Sequence, residues 1–121
     1  MRTLPTILFL LTISNAFAKT IIVGKNETIS TLRQGIKAAK DGDTVLVNKG
    51  VYKEGNIIID KAIYLIGIGE PVLDGDSKHE ILTVTGKNTV VKGIHFANPG
   101  YSSMNDYAAI KVIDATHVII E

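Results

Sequence analysis

The sequence predicts a right-handed parallel β-helix with an N-terminal capping α-helix, on three observations. Short Val- and Ile-rich runs alternate with polar corners along most of the chain. A strand–corner–strand unit recurs at near-constant spacing, and one amphipathic segment precedes the first predicted strand.

The chain opens on an export signature. Arg2 gives one positive charge, residues 7–13 form a short apolar run, and Ala16-Phe17-Ala18 supplies the small-x-small pattern of a cleavage site. The expectation is a signal peptide over residues 1–18, cut between Ala18 and Lys19. The apolar run falls short of the ~20 residues needed to cross a bilayer, and Pro5 interrupts its entry, so no membrane span is expected after cleavage. Of 13 basic and 12 acidic residues, maturation removes only Arg2, leaving a neutral chain without the electrostatic footprint of a nucleic-acid binder. There is no cysteine, which excludes disulfide stapling, a thiolate metal site and a lipidated N-terminal Cys. Asn26-Glu27-Thr28 matches a glycosylation sequon, a pattern common by chance.

The helix comes next. Ile29, Leu32, Ile36 and Ala39 recur at three- and four-residue steps, with Arg33, Lys37 and Lys40 on the opposite face. Thr28 or Ser30 is the expected N-cap, and Asp41-Gly42-Asp43 the stop. Lys37 and Lys40 fall near the negative end of the helix dipole. Gly35 within the helix costs about 1 kcal/mol relative to Ala, so the segment needs its apolar face covered.

Strands are expected over residues 44–47, 57–59, 62–66, 71–73, 81–84, 89–96, 109–113 and 117–120, separated by turn chemistry such as Asp74-Gly75, Gly86-Lys87-Asn88 and Pro99-Gly100. Residues 60–67 align with residues 86–93, 26 positions later, and residues 114–120 follow after about 28 more. Stacking these units makes parallel ladders with Ile63 and Leu65 inward above Thr89 and Val91. A shift of alternation at Gly93 turns Ile94 and Phe96 inward, with Lys92 and His95 outward. A solenoid exposes apolar core at its first coil, and the helix is the expected cap there. The domain expectation is therefore a cap helix and first coils over residues 19–121. The last strand carries no polar cap, so the solenoid is expected to be incomplete at its C-terminus, and residues 19–121 alone to aggregate or remain partly unfolded.

Candidate chemistry is sparse. Asp74-Gly75-Asp76 begins like a calcium loop, but Lys78 and Thr85 occupy ligand positions, so a turn is expected. Gly67-Ile68-Gly69 lacks the third glycine of a dinucleotide fingerprint and reads as a corner. His79, His95 and His117 share no metal-ligand spacing. Stacking could still bring His95 and His117 together, and a His and thioether set with Met104 would suit a soft ion such as Cu(I). Asp60 aligns with Asp114, and Asp74 more loosely with Asn98, as repeat-aligned corner formers. No catalytic set and no cofactor-binding residue stand out, and the metal ligands are unknown.

Two groups of residues carry a family resemblance. Thr31-Leu32, residues 36–39, Gly42-Asp43-Thr44-Val45 and residues 50–54 resemble the opening coil of many secreted pectin-lyase-like β-helices, including carbohydrate-binding and sugar-cleaving ones. Residues 71–75, then Val91-Lys92-Gly93-Ile94, then residues 100–110 are similar in order to the periplasmic NosD family of nitrous oxide reductase maturation proteins. That resemblance implies a periplasmic accessory role in copper-centre assembly rather than a reaction. The implied partners are an ABC transporter of the NosF and NosY type, the copper chaperone NosL and the apo-reductase. Residues 98–107, with Tyr101, Met104 and Tyr107, are the expected contact surface. The alternative from the more general resemblance is a secreted carbohydrate-binding protein, or a polysaccharide lyase or hydrolase with its active site beyond residue 121.

Overall fold

The computed structural model describes residues 17–101 and 108–121. They form a parallel β-helix of three sheets with one short helix across its first end. Strand β1 (Thr20–Val23) leads into helix α1 (Leu32–Ala38). The first full coil is β2 (Thr44–Val47), β3 (Val51–Tyr52) and β4 (Ile57–Ile59); the second is β5 (Tyr64–Gly67), β6 (Val72–Asp74) and β7 (Leu82–Val84). The third is β8 (Val90–Lys92), β9 (His95–Ala97) and β10 (Ile110–Val112), after which β11 (Ile119–Ile120) begins a fourth.

Every strand pairs in parallel with its counterpart one coil away. The sheets run β1-β2-β5-β8-β11, β3-β6-β9 and β4-β7-β10. Tyr64 and Leu65 sit beside Val90 and Val91, the 26-residue offset read from the sequence. The next step is 29 residues, Val90 to Ile119, against the expected 28. The first full coil is the shortest, with Thr44 beside Tyr64 only 20 residues on.

Parallel stacking in register places like residues over like. One inward ladder runs Ile21, Val45, Leu65, Val91, and another Ile57, Leu82, Ile110. Val45, Leu65, Leu82 and Ile63 are fully buried, as is Thr89, whose hydroxyl donates to the Lys61 carbonyl at 3.0 Å. At roughly 25 cal/mol per Å² of apolar surface removed from water, this column is the main stabilising element of a chain without cross-links.

Several expected boundaries move. Residues 89–96 are two strands on different sheets, because Gly93 adopts a φ of 72° and turns the corner. Ile94 and Phe96 do pack against the core while Lys92 and His95 are exposed. Strands β1 and β3 were not expected; β1 directly follows the predicted cleavage site, and β3 has only two residues. The helix is shorter than its apolar period. Thr31, not Thr28 or Ser30, is the N-cap, with Oγ1 accepting from the Gln34 amide at 3.2 Å. Ile29 instead bridges in parallel to Val23, and Lys40 lies beyond the last turn.

The helix lies against β1, β2 and β4, burying Leu32, Gly35 and Ile36 over the first end of the column. This close seat explains Gly35. A Cβ there would stand 2.5 Å from Val23 Cγ2 and 3.3 Å from Val45 Cγ1, so the glycine that weakens the isolated helix lets it approach the sheet.

Its ends are held by charges from neighbouring loops. Glu54 accepts from the amides of Leu32 at 2.8 Å and Arg33 at 3.1 Å, satisfying two donors at the positive end of the dipole. The Lys61 ammonium donates to the carbonyls of Ala39 at 2.7 Å, Ile36 at 2.8 Å and Lys37 at 3.2 Å, filling the negative end. Arg33 reaches back to the carbonyls of Glu54 and Asn56. Sequence reasoning found the cap helix but not these clamps, which come from residues more than 20 positions away.

Candidate functional site

The corner between the β3-β6-β9 sheet and the β4-β7-β10 sheet concentrates the polar side chains. Three coils contribute to it: residues 53–56, residues 74–79 and residues 98–101. The coils are tied by their backbones, Gly75 N to Ala97 O at 2.9 Å, Ser77 N to Asn98 O at 2.9 Å and Gly100 N to His79 O at 2.8 Å. Asp76, Ser77 and Asn98 take left-handed φ values of 54°, 56° and 51°, which short polar side chains tolerate. Beside this corner lies a groove of about 410 Å³ lined by Arg33, Lys53, Glu54, Asn56, Asp74, Asp76 and His79.

The acids of the groove are engaged with their neighbours. Asp74 Oδ1 accepts from the Asp76 amide at 2.8 Å, and Asn98 Nδ2 approaches both Asp74 oxygens at 3.3 Å. The Asp76 hydrogen bond, helped by Asn98 and the charge of Lys53, holds the Asp74 carboxyl below the ordinary carboxylate range against the opposing effect of burial. Asp76 lies between Lys53 at 3.8 Å and Lys78 at 3.9 Å, both exposed pairs worth little individually. Asp74 ends β6 and Gly75-Asp76 lead into the turn after it; Asp74 is in register with Ala97, and Asn98, one position further on, is in direct contact with it.

The other candidates are dispersed. Asp60 follows β4 and Asp114 follows β10, with β7 between them, so they do not face each other as an acid pair. His95 lies on β9, whereas His117 is at the corner before β11, two residues ahead of the Ile119–Val90 pair. Stacking leaves these two histidines on different faces, because the repeat places sheet positions and not residue types in register. His79 lines the groove, and Met104 lies outside the described residues. Among the described residues no three His, Asp or Glu side chains converge on a common point. Tyr101 is 89% exposed at the end of the anchored segment; residues 102–107 of the expected contact surface, including Tyr107, lie outside the described residues.

Fold and corner together define a helix-capped parallel β-helix with a polar groove along one edge. No protein family, curated protein or solved structure matches the chain. Among the described residues, no helix is long and apolar enough to cross a membrane.

Proposed function

We propose that this β-helix is a periplasmic accessory protein of the NosD type, serving copper-centre assembly of nitrous oxide reductase by binding proteins rather than by catalysing a reaction. The observation that carries the reading is the groove corner. Its acids are committed to a backbone amide, an asparagine and two lysines, while Tyr101 projects from the same stacked corner. Such a surface suits recognition, where an exposed aromatic side chain can anchor a partner. The order of residues 71–75, 91–94 and 100–110 supports the choice of family. Copper is cargo of the pathway in this reading and is passed between the NosL chaperone, the transporter of the NosF and NosY type and the apo-reductase.

Deleting the gene tests it. The deletion strain is expected to export folded nitrous oxide reductase with an incomplete copper centre, and to accumulate nitrous oxide while upstream nitrogen-oxide reduction continues. A copper-replete reductase in that strain, with polysaccharide cleavage by the purified protein, would move the assignment to the carbohydrate-active class.

A further inference from the structure

Asp43 has an unusual place in the first coil. It is 3% exposed, directly ahead of the Thr20–Thr44 pair, and its two carboxylate oxygens accept from two separate segments. Oδ1 takes the backbone amide of Lys19 at 2.9 Å, and Oδ2 the backbone amide of Lys40 at 2.8 Å. The Thr44 amide completes the junction by donating to the Lys19 carbonyl at 3.0 Å. One carboxylate thus fastens the start of β1 to the chain just beyond α1. The nitrogen it holds at Lys19 is the one that cleavage after Ala18 would turn into a chain terminus.

We infer that Asp43 is a built-in receptor for the α-ammonium group of Lys19, so that removal of the leader strengthens closure of the first coil. This rests on the expected cleavage between Ala18 and Lys19. Hydrolysis adds one water across that peptide bond: Ala18 leaves as a carboxylate, and the Lys19 nitrogen gains protons to become an ammonium. The existing 2.9 Å contact then changes from a neutral amide donor to a charged one, about twice as strong. Phe17, Ala18 and Lys19 are exposed, so the bond is accessible and the two further N–H groups of the new terminus can be solvated.

The other charged groups at this place are the Lys19 side chain, Lys40 and Asp41, which line the same shallow cleft with Phe17 and Asp43. The hydrogen bonds from Lys40 and Lys19 hold the Asp43 carboxyl below the ordinary range despite its burial, with the charges of both lysines acting in the same direction. Asp43 is therefore ionised where the amine titrates. An ammonium paired with it has a folded-state pKa above its unfolded value of about 7.7–8.0. Its stabilisation is complete below that value and is lost as pH rises through the raised one.

The test compares two purified forms of the whole protein, one beginning at Lys19 and one retaining Phe17-Ala18, each with and without Asp43→Asn. In the Lys19 form, NMR titration should place the α-amine at least about half a unit above its ordinary value, and D43N should return it there. The urea midpoint of the Lys19 form should fall between pH 7 and 10 relative to that of the extended form. An α-amine at its ordinary pKa, or parallel midpoints in the two forms, would overturn the inference; the wild-type pair decides this even if D43N fails to fold. N-terminal sequencing of the exported protein reports separately on the processing step. A start at Met1 would remove cleavage, while the titration would still report whether Asp43 can hold an ammonium.

Discussion

Leu32→Asp should destabilise the domain by at least about 3 kcal/mol, the cost of a lost core side chain and an unpaired buried charge together. Leu32 is fully buried, and the Glu54 carboxylate already occupies its own amide, so an aspartate there would meet apolar surface and a like charge. Ile36→Asp should behave in the same way, since Ile36 packs over the same end of the column. Gln34→Ala, on the exposed side of the same turn, should stay within about 0.5 kcal/mol. Urea denaturation of the three variants measures this. Near-wild-type midpoints for both aspartate variants would mean that α1 is an appendage and that the first coil needs no cover.

Gly67→Ala should cost about 3 kcal/mol, more than its small volume suggests. Gly67 does not have a left-handed φ, so the backbone itself accepts alanine. The obstacle is the neighbouring coil: the new Cβ would run into the Gly93 carbonyl oxygen and stand 2.8 Å from the Gly93 carbonyl carbon and from Pro71 Cδ. Backbone in a stacked ladder cannot withdraw without breaking register, so this overpacking falls at the upper end of its usual range. Gly42→Ala is the contrasting case. Its φ of 89° is unfavourable to alanine, yet nothing lies within 4 Å of the added atom, so only backbone strain of about 1 kcal/mol is expected. Thermal or urea unfolding should therefore rank Gly67→Ala as clearly worse. The reverse order would mean that these corners depend on glycine conformation rather than on contact between coils.

The same distinction explains what could be read from the sequence. The repeat at residues 60–67 and 86–93 carried the fold because a parallel stack needs apolar residues at equivalent inward positions, and Leu65 over Val91 is such a pair. The amphipathic period of residues 29–39 located the cap for a similar reason, although its first turn was claimed by the Val23–Ile29 bridge. Strand β3 escaped detection because two residues cannot show a period of two, and the split at Gly93 was hidden by a continuous run of strand formers. At the candidate site, Asp74 and Asn98 were legible as corner residues of successive coils, although the register pairs Asp74 with Ala97, one position earlier. The Glu54 and Lys61 clamps were not, since nothing local distinguishes a charged loop residue that caps a distant helix from one that faces water. His95 and His117 show the limit of repeat alignment: successive coils bring together equivalent positions, and these two are not equivalent.

The most direct test of the stacked, parallel register is a disulfide across two coils. The chain has no cysteine, so a pair introduced at Tyr64 and Val90 is unambiguous. These residues are paired in register on β5 and β8, where adjacent strands lie about 4.8 Å apart, within the Cα separation a disulfide spans. Residue 92, on the same face but two positions along, is beyond about 7 Å from residue 64 and too far to bridge. Oxidation should therefore close the Tyr64→Cys, Val90→Cys pair within one chain and leave the Tyr64→Cys, Lys92→Cys pair open. Closure of the second pair in place of the first, or of neither, would contradict the 26-residue parallel stack on which the account rests.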